Sequence, residues 1–432
     1  MRKFALVLLL GVALCRAAGS TVKIRGYITS VPDSHSIAIL DDVIATDAAH
    51  LDLQNCGQTS LSPGLLIEAE GVWGARHQFA AEKVSCDANQ FSREISENAY
   101  LQEEPVAAEK RTEARPGRLK ADGELLLLTD TTQLNWHPAE QLVGYQVHYR
   151  GVRQPDGSIV TSSVELGSSA PADAYKNPGG VRVVPTTDPK TGIKILEFQK
   201  ENKIQGRMKL FPVEEVQEYV RKLGLGLLPH GADATKRPVE FRFFVVEDPS
   251  INAFALPDGT ILINTGLVGA VENEAQLAFV LSHEISHVLQ AHHWREVHDT
   301  RPKRVLITIA AVAASYYIRD LGLFLGQLGL EAVVNGYSRR IENQADRLGL
   351  QNVIDHGYDP RPAAGFFRTM LEHYRQRSTS AIWSNHDSAL LRGSFLSVQL
   401  LRQYPEGHFD KSTVNSSAFA AMRDAMGPVK IE

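Results

Sequence analysis

His283 and His287 stand four residues apart in SHEISHVLQAHH, Ser282 to His293, and Glu284 directly follows the first of them. On a helix, residues four apart share one face about one turn apart, so the two imidazoles can converge on one ion. Imidazoles placed this way suit a tetrahedral Zn²⁺ at about 2.0 to 2.1 Å. Glu284 would then stand beside the ion, where a carboxylate can take a proton from water. A catalytic zinc needs a third protein donor and an open fourth position, so one Zn²⁺ per chain is expected. The motif is short enough to arise by chance, which puts the weight on the third donor.

His293 lies six residues after His287, the spacing of the last histidine in HExxHxxGxxH, but Gln290 occupies the glycine position. Without a glycine turn, the helix is expected to run on and carry His293 about 240° round from His287, away from the ion. The better donor is Glu342, in GYSRRIENQADRLGL, with Asp346 four residues further along the same expected helix. Ligand histidines commonly give their free N–H to a carboxylate, the role assigned to Asp346. A solvated charged helix face has the same spacing, so this pair is informative only beside HEISH.

NAFALPDGTILINTGL, ENEAQLAFVLSHEISHV and GYSRRIENQADRLGL follow one another in order. Over roughly residues 208 to 388 they resemble the zinc endopeptidase family that includes the CAAX prenyl protease and the HtpX-type heat-shock proteases, above all its exported, BepA-like bacterial members. The resemblance implies His283, His287 and Glu342 as zinc ligands, Glu284 as general base and Asp346 as the supporting carboxylate. It also implies a histidine in a Ser-x-His-Pro motif. Here SNHDS supplies Ser384 and His386 with Asp387 in place of proline. His386 would either donate to the tetrahedral oxyanion or occupy the open zinc position at rest. The substrate backbone is expected to add as a strand along Asn252, Ala253, Ile261, Leu262 and Ile263. The alternative is a chaperone-like or envelope-binding protein with a structural or latent metal site.

Those residues need a scaffold, and the 432-residue chain is long enough for two or three domains. Its 45 Lys+Arg against 50 Asp+Glu give a formal charge of -5, which disfavours nucleic acid, and the resemblance implies polypeptide substrates as partners. The expected fold is α+β, a mainly helical HExxH zincin (gluzincin) domain at 193–432 preceded by two small β-barrel-like modules. Module one spans 20–90, weakly OB-like, and module two 116–170, with linkers at 91–115 and 171–192. Gly71 and Gly151, Ile67 and Val147, and Val84 and Val164 share an offset of 80, which points to duplication of one module.

Residues 1–19 read as a signal peptide, with a basic start, an apolar run and small residues at Ala17 to Gly19. Export to the periplasm follows, with lipoprotein or peripheral membrane association as variants. Removal of the leader takes Cys15 with it, leaving Cys56 and Cys86 to form one disulfide. VLITIAAVAASYYI, 305–318, is short for a membrane span. Residues 305–330 are expected as a buried helix, lid or membrane-touching hairpin. These residues or the β modules are the places for any membrane or envelope-protein contact.

Overall fold

The structure, a computed structural model, describes residues 21–54, 59–74, 77–87, 94–101, 117–121, 124–135, 145–154, 158–169, 172–228, 239–299, 337–376, 386–404 and 407–431. The leader 1–19, Cys56, Ser384 and the run 305–330 lie outside them. It is an α+β protein.

A seven-stranded sheet comes first: β1 (Val22–Tyr27), β2 (Ser30–Asp33), β3 (Ser36–Ile39), β4 (Asp42–Ala45), β5 (His50–Asp52), β6 (Leu66–Trp73) and β7 (Gln78–Cys86). A five-stranded sheet follows, with β8 (Glu94–Tyr100), β9 (Gly117–Ala121), β10 (Glu124–Leu134), β11 (Tyr145–Arg153) and β12 (Ile159–Ser169). The first runs β1-β6-β7-β4-β3-β2 and the second β8-β11-β12-β10-β9, so five strands follow one order in both. The registers also repeat at the offset of 80, with Gly71 opposite Ala81 and Gly151 opposite Thr161. Each glycine sits at a bulge. A Cβ would meet the Ala80 carbonyl oxygen at 2.0 Å in the first and that of Val160 at 2.5 Å in the second, which is why both positions carry glycine.

Both polar stretches read as linkers contain strands. β8 lies within 91–115, and β13 (Arg182–Thr187) within 171–192. Polarity misleads there because the outer face of a half-covered strand is polar by nature. β13 joins β14 (Lys194–Lys200) and β15 (Lys203–Lys209) in a three-stranded antiparallel sheet.

The remaining chain contributes α1 (Glu214–Gly226), then β16 (Arg242–Val246), β17 (Ala253–Ala255) and β18 (Thr260–Asn264). Helices α2 (Thr265–Ala270), α3 (Glu274–Leu289), α4 (His292–Asp299), α5 (Arg339–Asp355), α6 (Arg361–Gln376), α7 (His386–Gln403) and α8 (Ser417–Met426) complete it. Among the described residues, no helix is long and apolar enough to cross a membrane.

The order β16-β18-β17 puts β18 in the middle, parallel to β16 and antiparallel to β17. Ile261, Leu262 and Ile263 are therefore not an open edge, and all three are fully buried. The outer strand is β17. Backbone bonds from Leu256 to Thr260 and from Asn264 to Asn252 fix the alternation, which turns the N–H and C=O of Ala253 and Ala255 away from β18.

The first sheet is not a detached spacer. Its Ile24, Ile39, Ile67 and Phe79 belong to the same apolar core as Val216, Leu277, Phe367 and Leu396. The Tyr27 amide donates to Ser394 Oγ at 3.0 Å, and the Tyr27 and Phe395 rings stand 5.9 Å apart. The second sheet keeps its own core, around Leu126, Val147 and Tyr149.

Candidate metal centre

Helix α3 starts where Asn273 Oδ1 accepts the Gln276 amide at 2.9 Å, a side-chain cap. Nearly all of α3 is buried, with Glu284 and Leu289 as the part-exposed exceptions. Burial on all sides fixes its rotation and so aims His283 and His287. The helix does not run on through His293. It ends at Leu289, the chain turns through Ala291 at φ 49°, and α4 begins at His292. The turn that Gln290 was expected to deny is made one residue later, without a glycine.

Helix α5 crosses α3 at small residues. A Cβ on Gly349 would stand 3.1 Å from the His283 amide nitrogen, so the backbones approach closely only because none is there. That approach carries Glu342 to the histidines. His283 Nε2 and His287 Nε2 lie 3.0 Å apart, and Glu342 Oε2 and Oε1 lie 3.6 and 3.8 Å from them. Tetrahedral ligands about 2.0 to 2.1 Å from zinc stand about 3.4 Å from one another, and these separations bracket that value. The residues present therefore fit such an ion. His293 is buried in α4 and is not part of this cluster.

Asp346 is fully buried, with Oδ1 3.0 Å from His283 Nδ1. Burial pushes its carboxyl up, but Arg392 and His283 outweigh that and hold it at about 2. Burial pulls the His283 imidazole down, while Asp346 lifts it above its ordinary value. Burial, His283 and His292 keep the His287 imidazole well below its ordinary value.

Glu284 is pushed up to about 7, chiefly by burial, against the opposing pull of His283 and Arg392. The outward-facing Ala255 amide also pulls it down. A carboxyl poised near neutrality can take a proton and return it.

Spacing alone missed three residues. Arg392 on α7 donates from Nε and Nη2 to Asp346, each at 2.8 Å, and its Nη1 lies 2.9 Å from Glu342 Oε2. An arginine among Leu390, Leu391, Phe395 and Leu396 was the available signal, because a charge in an apolar helix needs a buried partner. The Tyr337 ring stacks on His287 with centroids 4.4 Å apart. His292 Nδ1 lies 2.9 Å from His287 Nδ1. His386 opens α7. Asn252 and Ala253 line a pocket with His283, Glu284 and Arg392, closed by Leu267, Phe279, Val280, Phe366, Phe367 and Met370.

Two histidines and a glutamate on crossing helices, with a second glutamate beside them, define a centre of the metallopeptidase class. Residues 214–404 match the profile of Peptidase family M48, and the matched segment carries Glu284, Asp346, Arg392 and all three candidate ligands. The chain is 31% identical over 171 residues to the beta-barrel assembly-enhancing protease of Escherichia coli (strain K12), covering 37% of this chain and 34% of that protein. The putative beta-barrel assembly-enhancing protease of Vibrio cholerae is 33% identical over 170 residues, 38% of this chain and 34% of its own length. Bovine mitochondrial metalloendopeptidase OMA1 is 36% identical over 132 residues, 29% and 25% of the two chains. The chain thus spans about a third of the length of the bacterial relatives it matches.

Proposed function

We propose that this chain is an exported zinc-dependent endopeptidase that hydrolyses peptide bonds in extended or misfolded envelope polypeptides. The observation that carries this is the convergence of His283, His287 and Glu342 beside Glu284, against the outward edge of β17. Bound zinc would supply a Lewis acid that activates water and polarises the scissile carbonyl. Glu284 accepts the proton of the attacking water and returns it to the leaving amine. The substrate lies along Ala253 and Ala255 as an added strand, which selects extended chains, and the pocket walled by Phe366, Phe367 and Met370 takes an apolar side chain. His386 is retained as the candidate donor to the oxyanion.

Export is favoured by the leader-like residues 1–19 and by Cys86, which stands in a disulfide rather than as a free thiol. Cys56 is its proposed partner. The two N-terminal β units, the first over 20–90 and the second over 116–170 together with β8, hold or screen the peptidase domain.

The test compares wild type with Glu284→Gln for bound zinc and for cleavage of casein. Zinc retained with cleavage lost supports the reading. A wild type that binds zinc yet cleaves no unfolded protein sinks it and leaves a binding protein. Glu342→Ala is expected to lose the metal while His293→Ala keeps it.

A further inference from the structure

His287 leans on another histidine where His283 leans on a carboxylate. His292 Nδ1 lies 2.9 Å from His287 Nδ1, and His292 Nε2 lies 3.0 Å from Gln344 Oε1. The chain continues: Gln344 Nε2 donates to Gln290 Oε1 at 3.4 Å, and Arg295 Nη2 donates to the same oxygen at 3.2 Å. His287, His292, Gln344 and Arg295 are all buried.

The polarity of this chain can be derived from either end. Arginine only donates, so the Gln290 atom facing Arg295 is its oxygen. Gln344 then turns its NH₂ to Gln290 and its oxygen to His292. His292 must donate from Nε2, which leaves its Nδ1 as an acceptor. The nitrogen facing that acceptor, His287 Nδ1, carries the proton, and His287 Nε2 is left with a lone pair. Starting instead from the metal gives the same answer, because a ligating Nε2 has no proton and neutral imidazole then carries it on Nδ1.

We propose that His292 is a positioning residue for His287, held in one hydrogen-bonding polarity by Gln344, Gln290 and Arg295 so that His287 offers Nε2 to the ion. The proposal rests on the metallopeptidase reading of the site. It links α3, α4 and α5, and the left-handed Ala291 is what brings His292 back onto its neighbour.

The test measures zinc affinity of the full-length chain by competition with a chromogenic chelator, with thermal unfolding of the zinc-free proteins as the folding control. His292→Phe, which fills the space without an acceptor, is expected to weaken zinc binding by about 10- to 100-fold. His292→Asn places an oxygen near the Nδ1 position and is expected to recover most of that loss. Unchanged affinity in the Phe variant, or an equal loss in both, overturns the proposal. Should the Phe variant not fold, Gln344→Met removes the acceptor for His292 and the donor to Gln290 while leaving both imidazoles in place, and full affinity there overturns it as well. A wild type that binds no zinc overturns the relay together with the metal centre. Casein cleavage reads the peptidase function separately.

Discussion

Glu124 on β10 and Arg347 on α5 meet at 3.5 Å, so the second sheet touches the helix of Glu342 one residue from Asp346. Arg153 also forks onto Glu124, at 3.0 and 3.2 Å. Burial pushes this carboxyl up, yet the two arginines hold it below its ordinary value. Glu124→Ala leaves two arginines without their shared anion in a largely buried place. It is expected to cost roughly 3 kcal/mol in urea unfolding. A loss under 0.5 kcal/mol, about that of a surface pair, would show the contact to be incidental.

The crossing at Gly349 predicts a graded response. Alanine there needs the neighbours to yield only a few tenths of an ångström, whereas valine must push α5 away from His283. Gly349→Val is expected to destabilise by about 1 to 3 kcal/mol and to weaken zinc binding more than Gly349→Ala does. Zinc titration of both variants checks this, and equal wild-type affinity in both would show that Glu342 is not placed by the crossing.

Glu284 gives a pH dependence with a definite sign. Its folded pKa, about 7, exceeds the ordinary value of 4.5, so the folded metal-free protein holds this proton more tightly than the unfolded chain. The stability it contributes is complete below pH 4.5 and is lost as pH rises through 7. Metal-free Glu284→Gln escapes that loss and is expected to exceed wild type by about 2 to 3 kcal/mol at pH 8, with no gain near pH 4. Urea unfolding in chelator at the two pH values measures it. A gain of equal size at both would assign the effect to something other than this proton.

Ala291 holds a backbone conformation that costs an L-residue roughly 1 to 2 kcal/mol. Ala291→Gly relieves it at some cost in unfolded-chain entropy. The expected result is a melting temperature equal to or above that of wild type. A clear drop would mean that the methyl group contributes packing that outweighs the strain.

The candidate ligands were legible because HEISH and ENQAD each repeat the four-residue step of a helix. His292 was not, since its role depends on a left-handed turn at an alanine, a residue that gives no sign of one. The true edge was partly legible. TILIN carries three consecutive apolar residues, and an unbroken apolar run marks a strand covered on both sides, whereas an edge tends to alternate. The shared core was invisible, because nothing local to Tyr27 or Ser394 records a contact across 367 residues.

That last contact sets an order of assembly. During synthesis the first sheet emerges with an apolar face whose cover, α7, follows more than 300 residues later. Contacts so distant in sequence form late. Arg392, which neutralises Asp346 and Glu342, arrives on that same helix. A half-made chain therefore lacks a finished site, because Asp346 and Glu342 gain their arginine only once α7 has docked on the first sheet.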